Sequence, residues 1–400
     1  MSKTGLFLGI EIAGTGTHPA SWRRADSAAE DLFTAGYWTS VVSSAEDLGF
    51  DAVFLPDSFG IQSGGAAATR GRLDAVAIAA RTAPLSTRIG LIPQVPVTHT
   101  EPFHVSKAVT ALDFASLGRA GWEVTVSTAE AKAFGRKDIQ DPVSLWHEAD
   151  EAVEVVTRLW DSWEDDAEIR DVATGRFIDR DRLHYIDFTG DNFSVKGPSI
   201  TPRSPQGQPI VTVRADTPES TEVAVRRADL IRVTAPDLPT AAARRTALRA
   251  AIAAEGRDPS TVRILLDLPV HLADSADDAR AAVRELDRWA EHTEISAAHR
   301  PSTASTSAAE TTQLRHVGTV GELDELLAEI ARSGIADGVV VRPLALQATL
   351  RALITHRRTA VAPTTDSASD HPQPNGPATL RDRLDLPRPA SRYATTGTVL

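Results

Sequence analysis

Eight short apolar stretches of strand length recur along this chain, and most are separated by segments whose apolar residues repeat at helical spacing. They fall at 6–12, 51–55, 88–95, 122–126, 209–213, 228–233, 262–272 and 337–341. Between the first two, Trp38, Val41, Val42, Ala45 and Leu48 share one helical face that Gly49 ends. Similar patterns span 73–81, 148–160, 239–254 and 279–292, and Thr319 with Glu322 makes a capping box ahead of Leu323, Leu326, Leu327 and Ile330. The stretch 111–127 compresses the unit into a helix end, a left-handed cap at Gly118 and a strand finishing in Thr125 and Ser127. A parallel strand pair needs a crossover, and eight strand–helix units close on themselves, so the expected class is α/β and the expected fold a (β/α)8 TIM barrel.

The alternation breaks between the fourth and fifth strands. Residues 161–208 carry an acidic run at 164–166 and a hairpin pattern at 184–196 around the turn 189–192, which reads as a large insertion. The barrel is expected over 1–358, with a mobile Ser/Thr/Ala-rich segment at 296–312 and an extended tail over 359–400, rich in Pro, Ser, Thr and Asp.

Composition excludes several classes of function. The chain has 42 Lys and Arg against 54 Asp and Glu, and no basic run long enough to follow a phosphate backbone, so nucleic acid is not an expected partner. Without cysteine there is no disulfide, thiolate metal site or cysteine nucleophile. No apolar stretch approaches the length of a membrane span, and the N-terminus does not read as a secretory signal, so the expected setting is cytoplasmic. The 11 histidines show no ligand spacing, and the 164–166 acidic run lacks the alternating ligands of a calcium loop, so no metal is expected.

Parallel barrels place chemistry at the C-terminal ends of their strands. There the first strand runs into the glycine-containing loop 13–19, expected as a mobile rim that carries His18; its glycine spacing fits neither a dinucleotide fingerprint nor a phosphate loop. Asp57 follows the second strand and either serves the chemistry or caps the next turn. Thr98, His99, Thr100 and Glu101 cluster after the third strand, and Thr217 precedes Pro218 as a helix N-cap after the fifth. Trp160, on an amphipathic helix, reads as core.

Several longer motifs resemble one family. They are His18-Pro-Ala-Ser-Trp-Arg23, Phe54-Leu-Pro-Asp57, Leu112-Asp-Phe-Ala-Ser-Leu-Gly-Arg-Ala-Gly-Trp122, Phe134-Gly135, Glu148-Ala-Asp-Glu151, Leu159-Trp-Asp-Ser-Trp-Glu-Asp-Asp166, Pro202-Arg-Ser-Pro-Gln-Gly207 and Leu384-Asp-Leu-Pro-Arg-Pro-Ala390. Together they resemble the flavin-dependent monooxygenases of the bacterial luciferase-like superfamily, in the branch of nitrilotriacetate and dibenzothiophene-sulfone monooxygenases. The resemblance implies an enzyme that takes FMNH2 from a separate flavin reductase and uses O2 to oxygenate a small organic substrate. It implies a homodimer, or a heterodimer with a homologue.

It also assigns site residues. His18 would be the catalytic group facing the reacting centre, and Asp57 and Thr98 would lie near the flavin ring. Glu123 stands where the family carries a flavin-contacting asparagine. Pro142 and Trp146 take the places of a His and a Tyr, and Trp146 would be a cofactor neighbour. The phosphate turn, Gln-Ala-Gly-Ser-Ser in relatives, reads Val213-Arg-Ala-Asp-Thr217, so Arg214, Asp216 and Thr217 would face the cofactor tail. Two further readings accompany this one: a non-catalytic or weakly catalytic partner subunit of an active homologue, and an F420-dependent oxidoreductase on the same barrel.

Overall fold

In the computed structural model, residues 5–60, 69–127, 134–135, 137–294, 313–360 and 378–394 are described. Eight parallel strands close into a barrel: β1 (Phe7–Glu11), β2 (Ala52–Leu55), β3 (Gly90–Pro96), β4 (Gly121–Thr125), β5 (Ile210–Arg214), β6 (Leu230–Val233), β7 (Arg263–Leu272) and β8 (Gly338–Pro343). Each pairs with its neighbour in sequence, and β8 returns to β1 with Phe7 opposite Gly338. All eight sit where the apolar runs of the sequence put them. The helices cover the outside: α1 (Ala35–Asp47), α2 (Ala75–Thr82), α3 (Pro102–Ala115), α4 (Pro142–Asp161), α5 (Pro218–Arg227), α6 (Leu238–Ala254), α7 (Ala276–Glu294), α8 (Val320–Arg332) and α9 (Leu346–Ala360).

The expected caps are present. Gly118 has φ +85° after α3, and Thr319 and Glu322 form a reciprocal capping box on α8. Trp160 is core, as its helical position requires: it is buried, stands edge-on to Trp122 at 6.4 Å, and donates its indole N–H to the Ser106 carbonyl at 3.1 Å. Between β4 and β5, residues 168–178 and 188–195 form two small antiparallel hairpins. No helix among the described residues is long and apolar enough to cross a membrane.

Alternate residues of each strand point into the barrel. The lower layers are apolar: Phe7, Ala52, Ile210, Leu230 and Leu265 near the strand starts, then Phe54, Ile92 and Val340. Gly9 makes room for Phe54, since a Cβ there would lie 2.6 Å from the phenyl ring.

The described part of the tail departs from the extended chain expected of it. Residues 378–394 fold back under the barrel, with the short helix α10 (Leu380–Arg383) between β3 and β5 at their N-terminal ends. Leu380, Leu384 and Leu386 are buried among the bottom layer. The leucine is seated by its own amide, which donates to the Gly118 carbonyl at 2.8 Å, and the following Arg381 pairs with Asp229 at 2.8 Å. Proline and serine around these leucines conceal a plug whose apolar residues are too few to show a period. The segment 296–312, expected to be mobile, lies outside the described residues, as do 361–377 and 395–400 of the tail.

A buried leucine closing a barrel leaves a cavity when truncated. Leu380→Ala is expected to cost about 2–5 kcal/mol of unfolding free energy, read by urea denaturation. A loss below about 1 kcal/mol would show that the tail does not seal the barrel.

Candidate active site at the barrel mouth

Toward their C-terminal ends the same inward-facing rows turn from apolar to charged. After Phe7 and Gly9 comes Glu11; after Gly121, Glu123; after Thr212, Arg214; after Leu230, Arg232; after Leu265, Asp267; after Val340, Arg342. Each carboxylate or guanidinium therefore reaches the barrel axis because its strand's period of two places it there.

Arg232 is the hub. Its guanidinium is 1% exposed and donates to Asp267 Oδ1 at 2.8 Å and Oδ2 at 2.9 Å, to Glu123 Oε2 at 2.6 Å and to Glu11 Oε2 at 2.6 Å. It also sits 4.7 Å above the Phe54 ring, on top of the apolar layers. Gln94 donates to the other Glu123 oxygen at 2.8 Å, and Arg342 Nε donates to Glu11 Oε1 at 3.0 Å. Arg214 reaches Asp267 at 3.4 Å and Asp216 at 3.0 Å. Three guanidiniums thus face three buried carboxylates, with Asp216 as a fourth, exposed one.

The titration of these groups follows from that arrangement. Burial on its own would raise the Glu11 carboxyl, but Arg342, Arg232 and Arg214 hold it far below the usual carboxylate range. Burial would likewise lower the Arg232 guanidinium, which Asp267, Glu123 and Glu11 instead hold well above its ordinary value. His271 closes β7 beside the mouth. It is depressed to about 4, first by burial and then by Arg24, with His18 adding to the effect. At neutral pH it is a neutral imidazole whose buried Nδ1 has no hydrogen-bond partner among the described residues.

The residues singled out in the sequence fall into two groups. Glu123 and Arg214 belong to the ionic floor, with Asp216 and Thr217 at its edge. The other group is fastened around the rim. Asp57 accepts the Ser58 and Ala75 amides on its two oxygens, at 2.7 and 2.9 Å, and so caps the entry to α2, while burial raises its carboxyl. Thr98 is buried and accepts the Ser127 amide at 2.8 Å, tying the loop after β3 to the end of β4. Trp146 lies half-buried on α4 against the core, away from the floor's hydrogen bonds.

His18 accepts the Ala20 amide on Nδ1 at 3.2 Å, which leaves the Nε2 proton directed at Asp287 of α7, also 3.2 Å away. Its loop is not the mobile rim expected. Thr17 and His18 donate to the Pro343 and Leu344 carbonyls, Leu346 donates to Thr15, and Gly16, at φ +144°, packs where any side chain would collide with Leu344. Glycine here permits close packing rather than motion.

The turn after β5 is satisfied internally. The Ala215 amide donates to the Arg232 carbonyl at 2.9 Å, and the Asp216 and Thr217 amides donate to Ser220 Oγ at 3.1 and 3.0 Å. Thr217, the N-cap, accepts the Ser220 amide in return, and Pro218 has no N–H.

Sequence reasoning missed Glu11, Gln94, Arg232, Asp267, His271 and Arg342. The available signal was a lone charge inside each apolar strand, in Gly-Ile-Glu11-Ile, Leu-Ile-Arg232-Val, Leu-Leu-Asp267-Leu and Val-Val-Arg342-Pro. Elsewhere His147, Glu151 and Asp191 gather closely enough to suit a cation. Both Glu151 oxygens, however, accept turn amides, from Asp191 at 2.7 Å and Asn192 at 2.8 Å, so that carboxylate fastens the hairpin to α4.

Two outcomes follow from this electrostatics. Arg232→Met leaves buried carboxylates uncompensated and is expected to cost about 3–5 kcal/mol at pH 7. Urea unfolding at pH 7 reads the loss, and a value below about 1 kcal/mol would contradict the charge assignment. For His271 the folded pKa, about 4, lies below the unfolded 6.5, so the unfolded chain binds the proton first. Stability from this group is complete above pH 6.5 and is lost as pH falls to 4, by on the order of 3 kcal/mol. His271→Gln should remove that part of the slope.

Comparison with known proteins places this geometry among relatives. The family profile described as luciferase-like monooxygenase matches residues 3–350. N-acetyl-S-(2-succino)cysteine monooxygenase of Bacillus subtilis (strain 168) is 33% identical over 287 residues, 71% of this chain and 65% of the relative. Dibenzothiophene-sulfone monooxygenase of Rhodococcus erythropolis is 32% identical over 271 residues, 64% of this chain and 59% of the relative. The chain therefore spans less than two thirds of the length of either. The crystal structure of a riboflavin lyase with modified FMN and riboflavin superposes with a TM-score of 0.76 at 25% identity, covering 95% of both chains.

Proposed function

Because the chain belongs to the luciferase-like monooxygenase family, we propose that it is a flavin-dependent monooxygenase that oxygenates a small organic substrate with O2 at the C-terminal mouth of its barrel. Reduced flavin, FMNH2 by family resemblance, would come from a separate reductase, and the assembly would be a homodimer or a heterodimer with a homologue. The carrying observation is that six strands deliver charged side chains to one mouth, where parallel barrels place their chemistry.

The mouth suits the ring end of such a cofactor. Arg342 spends only its Nε on Glu11; its terminal N–H groups have no partner among the described residues, and the side chain is 17% exposed. A guanidinium held in that position suits the negative charge that a reduced isoalloxazine carries. When bound, reduced flavin supplies the two electrons that split O2, one oxygen atom entering the substrate and the other leaving as water.

The chain's own residues position and exclude. The ionic floor fixes Arg342 from below and holds water out of the barrel. His18, set by Ala20 and Asp287, presents a histidine whose proton lies on Nε2, and neutral His271 beside it adds no competing charge. By the family resemblance the tail end of the cofactor would lie at the turn 213–217, which carries a carboxylate and no unoccupied amide at 215, 216 or 217 and does not fit a phosphate.

The reading is tested by anaerobic titration with photoreduced flavin, followed by fluorescence. Saturation below about 1 mM is required. Arg342→Met is expected to weaken reduced flavin about tenfold while leaving oxidised flavin within about twofold, the size of one lost charge-assisted bond. Equal losses for both redox forms would remove Arg342 from its role.

A further inference from the structure

The disagreement between a flavin-shaped fold and a phosphate-hostile turn has a specific consequence. We propose that this chain selects a flavin whose side chain ends in hydroxyl rather than phosphate, so that riboflavin-class ligands are taken in preference to FMN. The inference rests on the flavin reading above and names its ligand more narrowly.

Backbone donors come first. An anion at the start of a helix is held by free amides, and three consecutive ones at this turn are already spent: Ala215 on the Arg232 carbonyl, and Asp216 and Thr217 on Ser220 Oγ. Pro218 can contribute none. The fixed cation is no freer. Arg214 directs Nε at Asp216 (3.0 Å) and its Nη atoms toward Asp267 (3.4 Å) and Glu11 (4.0 Å), so its charge is shared among three carboxylates before any ligand arrives.

Charge decides the sign. Arg214, Arg232 and Arg342 balance Glu11, Glu123 and Asp267, and Asp216 adds one exposed negative charge at the turn itself. A phosphate monoester, close to dianionic at neutral pH, brings only acceptor oxygens and more of the same charge. A terminal hydroxyl brings a hydrogen-bond donor as well as an acceptor and carries no charge to repel. Ala215 also places a methyl group where a glycine would let the backbone approach closely.

The test is anaerobic titration of the full-length protein with riboflavin, FMN and F420, with inorganic phosphate as competitor. Riboflavin is expected to bind at least about tenfold more tightly than FMN, a ratio that one unscreened like-charge contact can produce. Phosphate should compete with neither. FMN affinity should rise as pH falls from about 7.5 to 5.5, as the monoester nears its monoanion, while riboflavin affinity stays level. Asp216→Ser combined with Ala215→Gly should raise FMN affinity about tenfold or more with riboflavin within about twofold. Ser220→Ala, which frees two amides without altering charge, should move FMN in the same direction by a smaller factor.

Tighter binding of FMN or F420 than of riboflavin by the native protein would overturn the proposal. So would an unchanged FMN-to-riboflavin ratio in folded variants, checked by circular dichroism. Failure of every flavin to bind would instead overturn the flavin-dependent reading itself, and the inference with it.

Discussion

The structure turns on one guanidinium. Arg232 has lost its hydration completely, and a lone cation in that position would cost far more than a domain of this size has in total stability. What makes it tolerable is geometry: four hydrogen bonds to Asp267, Glu123 and Glu11 use four of its five N–H groups, and the Phe54 ring lies beneath it. Those three carboxylates come from β7, β4 and β1. A single side chain of β6 therefore pins three other strand ends around the circumference, and lysine, a point charge without the planar fork, could not reproduce it.

The barrel is thus sealed twice by opposite means. Leu380, Leu384 and Leu386 close the bottom by apolar burial, while the ionic layer closes the top. The lower seal is non-directional and tolerates small shifts; the upper one is directional and does not. Strand ends held by directional bonds make a rigid floor. Arg342, whose terminal N–H groups have no partner among the described residues, inherits that rigidity through Glu11, which is the kind of support a binding group needs from the groups behind it.

The contrast in what the sequence discloses has the same physical origin. Strands β1 to β8 were legible because eight apolar runs at regular intervals carry a strong period, and caps at Gly118 and Thr319 are local in sequence. The plug was not legible, since three leucines in a proline-rich tail have no period and acquire meaning only beneath the barrel. Nor was the floor: a single charge in a strand usually marks a solvent-facing position, and Arg232 meets Glu123 and Glu11 across 109 and 221 residues. Asp57 could be read from sequence as either a site or a cap, and its bonds to the Ser58 and Ala75 amides realise the cap. The glycines of the 13–19 loop misled because flexibility and close packing demand the same residue; Gly16 serves the second.

Glu123 and Asp216 lie at separate places in the sequence, yet the structure joins them. Glu123 is neutralised by Arg232, which also takes Asp267; Asp267 in turn draws Arg214, and Arg214 reaches Asp216. Glu123 contributes a buried negative charge to the floor, and the guanidiniums are what make that charge tolerable there. Each guanidinium committed to the floor is then unavailable to an incoming anion, and the one nearest the turn after β5 is held by carboxylates on both sides. A turn whose amides are spent on Ser220 and the Arg232 carbonyl, and whose neighbouring cation is spent on Asp216 and Asp267, has nothing left with which to attract a phosphate. The preference of this mouth among ligands is therefore set by the same charge balance that allows the barrel to be stable with Arg232 at its centre.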